Sequence, residues 1–133
     1  MPPITDLRTL LAGLRPVLRP GRYAFATVPE GSVIEPAAII ACVREDEGLC
    51  VVTREADARA ARLPIAFVAA WITLTVASDL AAVGLTAAVS AALAQAGIAC
   101  NVVAGVHHDH LFVPCDQAAR AMAVLEALQR TGP

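Results

Sequence analysis

The chain has 133 residues, a net charge of -2 and a pI near 5.8, and its ten basic residues are all arginines, scattered along the sequence. No basic cluster exists that could release counterions from a phosphate backbone, so a nucleic-acid partner is not expected. Hydrophobic residues make up 57%; much of the surplus is alanine, which suits close helix-on-sheet packing or a buried self-association face.

From the N-terminus, Met1 to Asp6 shows no basic region ahead of an apolar stretch. No secretory signal is expected, and a cytoplasmic location is the default. Thr5 is placed to cap a first helix carrying Leu7, Leu10, Leu11 and Leu14 on one face, which Pro16 closes. Residues 22–28 alternate as a strand between Pro20-Gly21 and Pro29. Residues 38–44 and 49–53 flank Glu45-Asp46-Glu47-Gly48, an acidic turn ending in glycine, and read as a hairpin.

Residues 55–62 are polar and alanine-rich, a short helix ended by Pro64 and the expected boundary between two halves, 1–62 and 63–133. Residues 67–77 then read as a long buried strand, and residues 85–96 as a helix with Leu85, Val89 and Leu93 on one face and Gly97 as its stop. Two strands, 98–106 and 111–113, are joined by His107-His108-Asp109-His110. Asp116 is placed to cap a last helix with Ala118, Met122, Leu125 and Leu128 inward.

Between Leu63 and His107 the only ionised side chain is Asp79, yet the stretch is rich in β-branched residues and broken by Gly84 and Gly97. A membrane span is therefore not expected. Cys42, Cys50, Cys100 and Cys115 lack any C-x-x-C spacing and sit in or beside apolar runs, so they read as reduced core residues.

The second half thus runs strand, helix, strand, strand, helix, the order of the α+β ferredoxin-like fold, with helices on one face of an antiparallel sheet. No strand follows its last helix, so the fourth sheet position falls to the N-terminal half or a partner. Trp71-Ile72-Thr73-Leu74-Thr75-Val76, the Gly84-Leu85 turn with its helix, and Gly97-Ile98-Ala99-Cys100-Asn101-Val102-Val103 resemble the ACT-domain family. The string His108-Asp109-His110-Leu111-Phe112-Val113-Pro114 is similar to a narrower ACT-like bacterial family. With Tyr23 to Thr53 as a truncated first unit, the resemblance covers most of the chain and implies two tandem βαββαβ ACT-like units.

The resemblance implies binding of an amino acid or similar metabolite at an inter-unit interface and regulation rather than catalysis, and the open sheet position with the alanine surplus adds the expectation of a homodimer. Its site residues here are Ser78, Asp79, Leu80, Val83, Gly84, Leu85, Asn101 and His108. Gly84 lets backbone approach a ligand and the following helix offers N–H groups to a carboxylate, while Asp79 suits an ammonium group. Asn101, an amide in an apolar strand, calls for partners. Each of Ser78, Asp79 and Gly84 also has a plain structural role as cap or packing residue.

Three alternatives stand beside this reading. One is a structural or interaction module whose groove is closed by side chains. Another is a metal site in His107–His110, although four consecutive residues cannot all face one ion, and no metal or cofactor is expected. The third is a tautomerase using a terminal Pro2, set against the helical start after Thr5. The chain has no G-x-S-x-G, H-E-x-x-H, Walker or G-x-G-x-x-G motif, so no catalytic residue is expected.

Overall fold

The computed structural model describes residues 6–133. In chain order its elements are α1 (Leu7–Ala12), β1 (Pro16–Leu18), β2 (Tyr23–Val28), β3 (Ala41–Glu45), β4 (Gly48–Arg54), α2 (Glu55–Ala60), β5 (Ile65–Leu74), α3 (Leu85–Gln95), β6 (Asn101–Ala104), β7 (Asp109–Pro114) and α4 (Ala118–Thr131). They form two compact units: Pro20–Ala70, and Trp71–Pro133 together with the chain up to Arg19. Strand β5 gives its first residues to the former and its last to the latter.

In the unit of residues 20–70 the strand order is β3-β4-β2-β5, antiparallel throughout. This is ferredoxin-like order with β2 as the first strand and β5 as the fourth. The expected acidic hairpin is present: Glu45 pairs Gly48, whose φ of 141° is one that glycine takes without strain. Where the first helix of the fold belongs there is only a 3-10 turn, Pro36–Ala38. Thr53 Oγ1 donates to the Ala38 carbonyl at 2.7 Å, and the Ile40 amide bonds Val52 at 2.8 Å, so β4 holds this segment directly. The core is Ala24, Ala26, Val51, Ala58 and Leu63, small enough for α2 and the connecting segment to approach the sheet closely.

The other unit runs β5, α3, β6, β7, α4, with strand order β1-β5-β7-β6. The fourth position is indeed filled from the N-terminal part of the chain: Pro16, Val17 and Leu18 pair antiparallel with Leu74, Thr73 and Ile72. A tight turn brings β1 there. Arg15 lies at φ 44°, unfavourable for a side-chain-bearing residue, and Gln129 of α4 holds it by accepting from the Arg15 amide at 3.0 Å while donating to Ala12 at 3.1 Å. Leu10, Leu14, Ile72, Leu74, Val89, Leu93, Leu111, Val113 and Leu125 are all buried in this unit.

Several local expectations are corrected. The cap of α1 is Asp6, whose carboxylate accepts from the Thr9 amide and hydroxyl; Thr5 and Pro2 lie outside the described residues. Asp116 does not cap α4, because Cys115–Gln117 form a 3-10 turn that places Gln117 at the cap, and Ala121 rather than Met122 is fully buried. Strand β5 stops at Leu74, not residue 77. The cysteines are free but not core residues: Cys42 is exposed on β3 and the other three are half-buried. Burial pushes the Cys100 thiol up to about 11, leaving it protonated and unreactive at neutral pH. No helix among the described residues is long and apolar enough to cross a membrane.

Gln129→Ala removes both bonds that hold the α1 to β1 turn. It should lower unfolding free energy by about 1–2 kcal/mol, read as a lower urea midpoint at unchanged m-value.

Candidate functional site

The irregular segment 75–84 links β5 to α3 and holds most of the residues expected to bind a ligand. Its entry is fixed by the turn before β1: the Thr75 hydroxyl donates to the Arg15 carbonyl at 2.8 Å and the Val76 amide bonds Leu14. Ser78 and Asp109 are both buried, and the Ser78 hydroxyl donates to Asp109 Oδ2 at 3.3 Å. Beyond them the chain turns through Asp79, whose Oδ1 accepts from the Ala81 amide at 2.8 Å. One carboxylate oxygen of Asp79 is therefore spent on the turn itself.

Leu80 and Val83 are 65% and 84% exposed, an unusual arrangement for two apolar side chains in one short segment. Gly84 follows at φ 102° and opens α3; a Cβ there would also stand 3.1 Å from Leu7 Cδ2. No side chain caps α3, so its first N–H groups have no side-chain acceptor. Leu85 is buried and anchors the helix.

The expected set is thus only partly brought together. Ser78, Asp79, Leu80, Val83, Gly84 and Leu85 share the segment, and His108 approaches it, with Nδ1 at 3.4 Å from the Val76 carbonyl. Asn101 does not join them. It is exposed at the start of β6, opposite Phe112, and so lies on the sheet face opposite Asp109. Asp109, read from sequence as a turn residue, proves to be the first residue of β7 and the buried partner of Ser78.

The histidines diverge. The β6 to β7 turn is closed by the Gly105 amide on the His108 carbonyl at 2.9 Å, and a Cβ on Gly105 would meet that oxygen at 2.8 Å. His110 instead points to the other sheet face. Trp71 Nε1 donates to its Nδ1 at 3.1 Å, and Thr73 Oγ1 lies 3.2 Å from the same nitrogen. An indole N–H only donates, so Nδ1 must be the unprotonated acceptor, and His110 is neutral with its proton on Nε2. Among the described residues no three His, Cys, Asp or Glu side chains are grouped to hold a metal ion.

Burial first, and the nearby Arg19 and His108 charges second, hold the His110 pKa below its usual 6.5, with Asp109 opposing. The folded state therefore binds this proton less readily than the unfolded chain, so stability falls as pH drops below 6.5 and levels off once folded His110 itself protonates. His110→Gln should flatten that part of the difference, measured by urea unfolding of wild type and variant between about pH 5 and 7.

Comparisons with known proteins agree with this architecture. One ACT-domain family model matches residues 2–70 and another matches residues 67–127. Curated proteins give no match. Among solved structures, the protein of unknown function VC0802 from Vibrio cholerae, described as a possible transport protein, is 39% identical over 92% of this chain and 95% of its own, with a TM-score of 0.78. Atu0741 from Agrobacterium tumefaciens is 21% identical over 86% of this chain and 87% of its own, at TM-score 0.63. The ligand-free regulatory subunit of aspartate kinase from Thermus thermophilus, at 9% identity, shares the fold over 86% of this chain and 97% of its own, also at 0.63.

Proposed function

The chain belongs to the ACT-domain family, with two such domains in tandem, and on that premise we propose that it is a regulatory sensor that binds an amino acid at segment 75–84. The observation that carries this reading is the buried Ser78–Asp109 pair beneath a segment whose Leu80 and Val83 project into solvent. A carboxylate that is buried, bonded to a hydroxyl and paired with no cation among the described residues is suited to receive an ammonium group.

The ligand's two ends then find different partners. Asp109, with the free oxygen of Asp79 nearby in the segment, takes the ammonium, and the uncapped N–H groups of α3 take the carboxylate. Leu80 and Val83 supply the apolar wall, which becomes buried when a second copy of the chain closes over it. The protein is accordingly a homodimer whose association is strengthened by ligand, and it acts by binding, not catalysis. Asn101, exposed on β6, joins the site only from the second copy. The aspartate kinase regulatory subunit with the same fold supports a regulatory role.

A thermal-shift screen against the twenty amino acids tests the reading. Ligand at ~100 times its dissociation constant stabilises the native state by ~2.7 kcal/mol, a rise of several degrees in a chain of this size. At least one amino acid should give that rise, and Asp109→Asn or Ser78→Ala should abolish it while leaving the unliganded protein folded. A flat response to all twenty would overturn the sensor reading in favour of an interaction module. Sedimentation with and without the active amino acid should show a shift towards dimer.

A further inference from the structure

Alternation along β5 and β7 places Trp71, Thr73, His110 and Phe112 on one sheet face and Ile72, Leu74, Leu111 and Val113 on the other. Register adds Val17 and Arg19 beside Thr73 and Trp71 at one end of that first face, since Val17 pairs Thr73 and the Arg19 amide bonds the Trp71 carbonyl at 2.8 Å. The Arg19 guanidinium lies over the Trp71 ring, 4.9 Å from its centroid, and its Nε donates to Thr73 Oγ1 at 3.0 Å.

The directions of the Arg19 and Trp71 bonds in this group are forced. Arginine and indole N–H groups only donate, so Thr73 Oγ1 accepts from Arg19 and His110 Nδ1 accepts from Trp71, while the Thr73 hydroxyl lies 3.2 Å from the same nitrogen and shares its single lone pair at most. Thr73 is 1% exposed and cannot exchange these partners for water. The chain of bonds pins Nε inward and turns the edge formed by Nη1 and Nη2 away from Thr73. Arg19 itself is exposed, has no carboxylate partner among the described residues, and commits neither Nη group. An exposed arginine ordinarily samples many rotamers; here two contacts and a buried relay hold one.

We propose that Arg19 anchors a second small-molecule site on this face, taking the carboxylate of a small organic acid through Nη1 and Nη2. A guanidinium fixed in plane, with its outer edge free, matches a planar carboxylate in a paired, two-bond geometry. Val17, 45% exposed and on the same face, gives the acid's carbon skeleton an apolar surface. Neutral His110 closes the far side of the group, accepting from Trp71 and packing against Thr73. This site does not depend on the amino-acid reading of segment 75–84.

Trp71 is the only tryptophan of the chain, so its emission reports directly on the guanidinium above it. The full chain is titrated with benzoate, succinate and inorganic phosphate at constant ionic strength, with chloride as control. Benzoate or succinate should give a saturable change in emission, at least tenfold weaker in Arg19→Gln and several-fold weaker in Thr73→Val, which keeps the charge but removes its holder. Arg19→Lys, which keeps a cation without the planar fork, should also bind at least tenfold more weakly and serves should the other variants fail to fold. Ser78→Ala should respond like wild type. No saturable response to either carboxylate, a response to phosphate alone, or an undiminished response in Arg19→Gln and Arg19→Lys would overturn the proposal.

Discussion

The pleat of β5 and β7 is the constraint on which the chemistry of the C-terminal unit depends. Successive side chains point to opposite faces of a strand, so one residue of shift would exchange everything each face carries. In the present register Ile72, Leu74, Leu111 and Val113 are buried on one side. Asp109 falls in step with Leu111 and meets Ser78, whereas His110 falls in step with Phe112 and meets Trp71 and Thr73. Two neighbouring residues of a single polar string thereby serve two unrelated environments.

Each polar group on these faces is bought at some cost in core burial, and the neighbouring glycines and alanines limit that cost. Gly105 leaves room for the His108 carbonyl and the His110 ring, which a methyl group would crowd at 2.8 and 3.3 Å. In residues 20–70 the small side chains of Ala24, Ala26 and Ala58 keep the core thin, and Thr53 of β4, fully buried, bonds across to Ala38. A buried hydroxyl left without that acceptor would cost on the order of 1–3 kcal/mol. The segment that stands in for a helix is thus secured by one side-chain and one main-chain bond to β4.

Much of this was legible in the sequence, where pattern and local chemistry agreed. The acidic hairpin, the helices closed by Gly97 and opened after Gly84, and the strand order of a ferredoxin-like unit all follow from periodicity and turn residues. Strand β1 was not legible, because three residues starting at a proline carry no alternation; only the need for a fourth strand pointed to it. His110 was misread because polar residues in a row suggest a turn, while its role depends on a tryptophan and a threonine nearly forty positions earlier. Asn101 looked like a buried amide because its neighbours are apolar, but β6 ends the strand order and leaves it exposed. Arg19 gave no signal at all, since its fixed posture is set by partners distant in sequence.

The pairing of β1 with β5 also bears on the order of assembly. Val17 meets Thr73 across about fifty-five residues of intervening chain, which makes it a contact of high sequence separation carried by a three-residue strand and the few bonds that flank it. Closing so long a loop carries an entropic cost that these few bonds repay only once the rest of the sheet is in place. Strand β1 is therefore a late arrival, and until it docks, the second half of β5 is a bare edge open to pairing with another chain.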